Sequence, residues 1–338
     1  VTNLAIAAVS AILATNQPAA VSNFVQTTTG IAVPVTATND PVAVELDKLM
    51  KADDDARAEV EKWIEDNDKF TAQGAGVPAE EMRRRIIARF NVVRQGYETL
   101  LNQHTNNTDI RVVFASFLGD MGDEDAATEQ LETARRIAPQ DPVIWNNLAN
   151  IYGHTGELKK AFDYYTKAIE LKPDESLYYH NFGTTLFLFR KDAKEHYNLT
   201  EQQVFDRALN LYSNAVRFNP QDFQLAADVA QTFYGIQPLR PDDALRAWTN
   251  AFSLARDEEE REGVHTHFAR VKMKAGRFSE AHAHLNSVTN EAYADMKRRL
   301  ERTLKDAETN AAATNSVTTN AVPIAPATNA PTPPARAN

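Results

Sequence analysis

Four histidines, His265, His267, His282 and His284, form the group of side chains in this sequence best suited to hold a metal ion or move a proton near neutral pH. Metal ligands on one helix face stand three or four residues apart, which sets them over one another. Here each pair is two residues apart, so its members point to different sides, and the spacing predicts surface or packing histidines and no metal site. Other routes to chemistry are thinner. Cysteine is absent, which removes disulfides, thiol catalysis and zinc-thiolate ligation together. The twelve glycines are scattered and form no phosphate-cradling turn, and neither His-Glu-x-x-His nor Gly-x-Ser-x-Gly occurs. None of the 46 carboxylates is marked by an apolar setting that would tune it for acid–base work. The residues therefore predict a protein that is not an enzyme, with no catalytic residue and no cofactor.

Charge narrows the partners. No ionisable side chain occurs between Val1 and Asn39, and from Asn310 onward only Arg336 does, so the net charge of −10 sits on the middle of the chain. An acidic body repels nucleic acid and anionic membranes, and the short run Arg83, Arg84, Arg85 reads as a solvated helix face. "LAIAAVSAIL", Leu4 to Leu13, is too short to span a bilayer and lacks the basic flank of an intact signal peptide. The Val at position 1 fits a leader already removed, and the expectation is an exported protein, periplasmic or extracellular, with the cytoplasm as the alternative.

The elements that position these residues follow a period. Gly122 and Gly156 are separated by a step of 34, and the same step links Ala127 to Ala161, Ala134 to Ala168 and Pro139 to Pro173. Phe114, Leu148 and Phe182 recur at two such steps. Ala208, Ala215 and Pro220 follow after 47, one period plus an insertion; Ala244 and Ala251 come 36 later, Ala281 and Val288 a further 37. Each period holds two apolar stripes at helical spacing, such as Leu148, Ile151, Tyr152 and then Ala161, Tyr165, Ala168, Ile169. Small alanines let two helices approach, and one such pair cannot bury its faces alone.

In Pro142 to Glu175 the series Trp145, Leu148, Ala149, Tyr152, Gly156, Ala161, Tyr165, Ala168 and Pro173 resembles the tetratricopeptide repeat, nearly position by position. The resemblance implies an all-α, right-handed superhelical solenoid of about five to six helix pairs, working as a binding scaffold. The units read as 108–141, 142–175, 176–222, 223–258 and 262–289, after a helical cap with a degenerate repeat over 41–107 and before a capping helix over 290–308. In that cap, Met82, Ile86, Phe90, Val93, Tyr97 and Leu100 mark one helix face, and Val44 to Ile64 reads as its partner helix. The resemblance also implies a concave ligand face on the first helices. The matching positions are Asn146, Asn150, His154, His180, Thr184, Phe187, Gln224, Gln231 and Tyr234, an almost uncharged set. Some family members clamp an acidic tail with Lys, Arg and Asn; here Gln224 and Asp228 stand where the cations belong, so a neutral, amide-rich or partly apolar segment is expected instead.

Two features lie outside the repeat. An insertion near 188–203 separates the helices of its unit; Thr200 with Gln203 reads as a capping box that starts the second helix near Glu201, while the first is expected to run on through Lys194 and help project a knob. The arms, 1–40 and 309–338, share "AVPVTATNDP" and "AVPIAPATNAP" and are rich in Ala, Thr, Asn and Val, the second also in Pro. They read as tethers or as linking elements. Two functions follow: a scaffold that forms a homo-oligomer or polymer with its N-terminal arm docked on a neighbouring copy, or a monomeric adaptor for a neutral or apolar segment of another protein. The partner is protein in both, with no nucleic acid and no membrane span.

Overall fold

A good helix former rarely stops without a breaker, and the first long helix illustrates this. In the computed structural model, which describes residues 40–319, α1 runs Pro41–Ala72, opened by the Asp40 side chain accepting from the Val42 N–H. It passes the end expected at Ile64 because its charged residues favour helix and no glycine intervenes until Gly74. Helix α2 spans Ala79–Gln103 and buries Met82, Ile86, Phe90, Val93, Tyr97 and Leu100, the face legible in the sequence. The helices that follow are α3 (Thr108–Asp120), α4 (Glu124–Ile137), α5 (Pro142–Thr155), α6 (Leu158–Leu171), α7 (Ser176–Leu188), α8 (Arg190–Tyr197), α9 (Glu201–Phe218) and α10 (Phe223–Thr232). Then come α11 (Pro241–Leu254), α12 (Glu258–Lys274), α13 (Phe278–Asn286) and α14 (Ala294–Thr319). Among the described residues there is no strand. The arm before Asp40 and the end of the chain from 320 lie outside the described residues.

The chain divides into two compact units, one ending at Leu225 and the other beginning at Ala226. In the first, α1 packs on α2, α3 on α4, α5 on α6 and α7 on α9, and each pair packs on the next. Gly122 and Gly156 take left-handed backbone angles, φ 77° and 85°, at the tight turns between α3 and α4 and between α5 and α6. Only glycine enters that region without steric cost, which is why the sequence repeats it. Ala127, Ala134, Ala161, Ala168, Ala208 and Ala215 are all fully buried, as helix-crossing positions must be. Aromatics fill the space between pairs: Tyr165 of α6 stacks on Phe182 of α7 at 5.4 Å.

The insertion is tucked in. Helix α7 ends at Leu188, short of Lys194, and the separate helix α8 lies against α6, α7 and α9. Its Ala193 is buried, while His196 and Tyr197 pack on Phe162 at 5.4 and 5.7 Å, and burial of these groups holds it down. Asn198 closes α8 at φ 52°, and the Thr200–Gln203 capping box opens α9 at Glu201.

In the second unit α11 packs on α12 and α12 on α13, and α14 covers both α12 and α13. Leu300 and Leu304 of α14 join Ala269, Ala281 and Leu285 in one apolar cluster. Buried Glu262 accepts from the backbone N–H groups of Thr289 and Asn290 and from the Thr289 hydroxyl, fixing the chain that leads into α14. These donors hold its carboxyl below the usual range. Helix α14 extends to Thr319, past the boundary expected at 308, through Ala311 to Ala313.

Candidate functional site

Helices spaced by one repeat present equivalent residues side by side. One period before Asn146, Asn150 and His154 on α5 stand Val112, Ser116 and Asp120 on α3. The structure puts a recess of about 50 Å³ between those two helices. Its polar lining is Ser116, Asp120, Asn147, Asn150 and His154; Val112, Leu131 and Ile151 are among its apolar walls. Gly119 also borders it, and a Cβ built there meets nothing within 4 Å.

Asp120 is tied to the opening helix. The Arg57 guanidinium of α1 lies 3.0 Å from the carboxylates of both Asp53 and Asp120, and Arg57 is only 8% exposed. Burial pushes the Asp120 carboxyl up to about 6 against the opposing pull of Arg57. Asp120 thus brings a strong hydrogen-bond acceptor to the recess, with its charge balanced in part from behind.

The remaining groove residues of this unit are partly consumed by the fold. Asn146 is 0% exposed; its amide donates to Asn147 Oδ1 at 3.0 Å and its carbonyl accepts from Asn181 at 3.1 Å. Asn150, 4% exposed, accepts from the Tyr165 hydroxyl at 2.7 Å. Thr184 accepts from the Tyr212 hydroxyl at 3.0 Å and is buried too. His180 lies against the Tyr212 ring at 5.8 Å, with burial lowering its imidazole to about 4, and Phe187 meets Phe205 at 5.9 Å. Gln224 is exposed. Of the set implied by the resemblance, the structure brings Asn150 and His154 together at the recess and uses Asn146 and Thr184 as interior ties.

Gln231 and Tyr234 belong to the second unit, where Gln231 is exposed and the Tyr234 hydroxyl lies 3.0 Å from His267 Nδ1. The four histidines are dispersed: His282 meets Glu308 at 3.0 Å, while His265 and His284 face each other across α12 and α13 with Nδ1 atoms 2.8 Å apart. Spacing along the chain could not reveal that encounter. Their ring centroids are 5.1 Å apart, and the two ring radii take up nearly all the difference, so the lone-pair axes run head-on. Head-on rings share a proton; a chelate needs axes that converge on one point beside the pair. Titration with zinc or nickel should therefore give no one-to-one complex, and a stoichiometric complex abolished by His284→Ala would contradict this geometry. Among the described residues no three metal-binding side chains cluster.

Residues 142–175 match the tetratricopeptide repeat family. The paired helices around that match follow the same pattern, so the chain carries tetratricopeptide repeats, and proteins built from such repeats are generally non-catalytic interaction scaffolds. It is 30% identical over 81 residues to the photosystem I assembly protein Ycf3 of Acaryochloris marina, covering 24% of this chain and 49% of that one, so the chain spans about half the length of that curated relative. Among solved structures it is similar to YrrB, a TPR protein with an unusual peptide-binding site (14% identity, TM-score 0.44, 61% of this chain and 97% of that one). It is likewise similar to Pseudomonas aeruginosa pilF (12% identity, TM-score 0.47, 74% and 98%). Likeness at that level carries nothing about function. No helix of the described residues is long and apolar enough to cross a membrane.

Proposed function

We propose that this protein is a non-enzymatic scaffold that binds copies of itself, the arm of residues 1–39 in one copy docking at the recess between α3 and α5 of another. The observation that carries this reading is the match between recess and arm. A volume of about 50 Å³ holds roughly four waters, which is the size of a side chain of three or four heavy atoms. Asn, Ser, Asp and His side chains border it, but the surface it presents is almost wholly apolar and suits Val, Ala and the methyl group of Thr. Two-thirds of the arm is Ala, Thr, Val or Asn and none of it is charged, so its side chains fit and enter without desolvating a charge. Fully extended, the arm reaches up to roughly 130 Å, enough to leave its own body for a neighbour. Such head-to-tail contact is heterologous and builds open filaments unless its rotation closes a ring.

The test is light scattering and negative-stain imaging of the full chain and of a chain lacking residues 1–39. The full chain should assemble, and assembly should persist in about 1 M salt, where ion pairs between exposed groups are screened. The shortened chain should stay helical and monomeric. A full chain that is monomeric at high concentration, or a shortened one that still assembles, favours the monomeric adaptor instead.

A further inference from the structure

A carboxylate taken out of water must have its charge matched or keep its proton. At Asp120 the match is incomplete. The Arg57 guanidinium stands 3.0 Å from both Asp53 and Asp120, so one positive charge serves two negative ones, and the three groups carry a net negative charge when both carboxyls are ionised. From α2, Arg89 is felt at Asp53 but is engaged by Glu59 at 2.7 Å, and the buried Tyr97 phenol, held protonated by its burial, brings no charge. Around the recess α4 contributes only Leu131, and from α5 the one side chain able to ionise is His154.

Asp120 also borders the recess, whose surface is almost wholly apolar. Solvent entering the recess screens the carboxylate from that side, and a side chain seated there displaces it. The arm brings nothing in exchange, because no residue from 1 to 39 is ionisable. Seating Val, Ala or the methyl group of Thr therefore penalises the charged form of Asp120 and favours the protonated one. Burial has already pushed this carboxyl up to about 6, so the proton is within reach near neutral pH.

We infer that docking of the arm takes up a proton at Asp120, so that self-assembly strengthens as the surroundings turn mildly acidic. This regulation rests on the docking proposed above and acts at the same recess. The docked form holds the proton more tightly than the free body does, so affinity rises as pH falls and levels off once the free body is itself protonated. His154 is the other group at the recess suited to titrate in this range. Its protonation adds a charge to an apolar site, so a response carried by His154 alone runs in the opposite direction.

The experiment follows assembly of the full chain by light scattering over a dilution series at about pH 8 and about pH 6, in constant salt. The concentration at which the wild type assembles should be lower at the acid pH by at least about fivefold. Asp120→Asn, which imitates the protonated carboxyl, should assemble at the higher pH as readily as the wild type does at the lower, and its own threshold should move less than about twofold. A general effect of net charge acts on both proteins alike. Calorimetric dilution of wild-type assemblies at about pH 7, in phosphate and in Tris, provides a second measurement that needs no variant: the heats should differ, because the proton released on dissociation is taken up by buffers of different ionisation heat. Equal heats, a wild-type threshold that does not fall in acid, or an Asp120→Asn protein with the full wild-type response overturns the inference and leaves arm docking standing. A full chain that assembles at neither pH overturns both.

Discussion

Arg57→Met should cost about 3–5 kcal/mol of stability at neutral pH, the penalty for breaking a buried ionic cluster from one side. Arg57 holds Asp53 and Asp120 at 3.0 Å each, and losing the guanidinium leaves two carboxylates facing each other out of water. The deficit should depend on pH in a set direction. The Asp120 carboxyl stands at about 6 in the folded protein against an ordinary value of 3.8, so the folded state binds its proton more tightly than the unfolded chain does. That contribution is complete below the unfolded value and is lost as pH rises through the folded one. Without Arg57 the carboxyl rises further, because the group that lowered it is gone. The variant should therefore be weakest at pH 7 and recover as pH falls toward about 4. Adding Asp120→Asn should restore much of the loss at neutral pH. Urea unfolding at two pH values reads all of this; a deficit under about 1 kcal/mol at neutral pH would mean that the cluster behaves as an ordinary exposed pair.

Ala161→Glu should be at least as damaging. Ala161 is 0% exposed on α6, where the chain leaves space for one methyl group. A glutamate there adds overpacking, about 1–3 kcal/mol, to the burial of a charge, and the sum is a large part of the roughly 5–15 kcal/mol that holds a domain together. The effect should spread, because α6 shares its aromatic contacts with the next pair: Phe162 and Tyr165 both meet Phe182 of α7. Circular dichroism and thermal melting suffice as the check. A wild-type melt would show that the repeat register has been assigned to the wrong positions.

The register was legible because it rests on residues that packing and turns demand at fixed places. Buried alanines at 127, 134, 161 and 168, and left-handed glycines at 122 and 156, are local necessities that repeat with each helix pair. What escaped the sequence is long-range or partly irregular. Arg57 and Asp120 lie far apart along the chain and no spacing rule joins them. His265 and His284 meet across two helices, which a search along one helix face cannot see. Helix α8 looked like a continuation of α7 because its residues are mostly polar; the break at Phe189, φ −102° and ψ 39°, is decided by Ala193 and Tyr197 finding cover on the body of the unit. The recess was half legible. Asn150 and His154 come from the matched repeat, while Ser116 and Asp120 lie one period earlier and could have been found by that step.

Whether the recess between α3 and α5 receives the arm of another copy is decided most simply by Gly119→Leu. Gly119 borders the recess inside α3, and a Cβ placed there meets nothing within 4 Å, so a leucine is expected to enter the recess and occupy it. Replacing a helical glycine also favours the helix by roughly 0.5–1 kcal/mol, so a folding defect and a binding defect separate cleanly. Light scattering of the variant at the wild-type assembly concentration should show monomers, with a melting temperature equal to or above that of the wild type. A Gly119→Leu protein that assembles like the wild type would rule out docking of the arm at this recess.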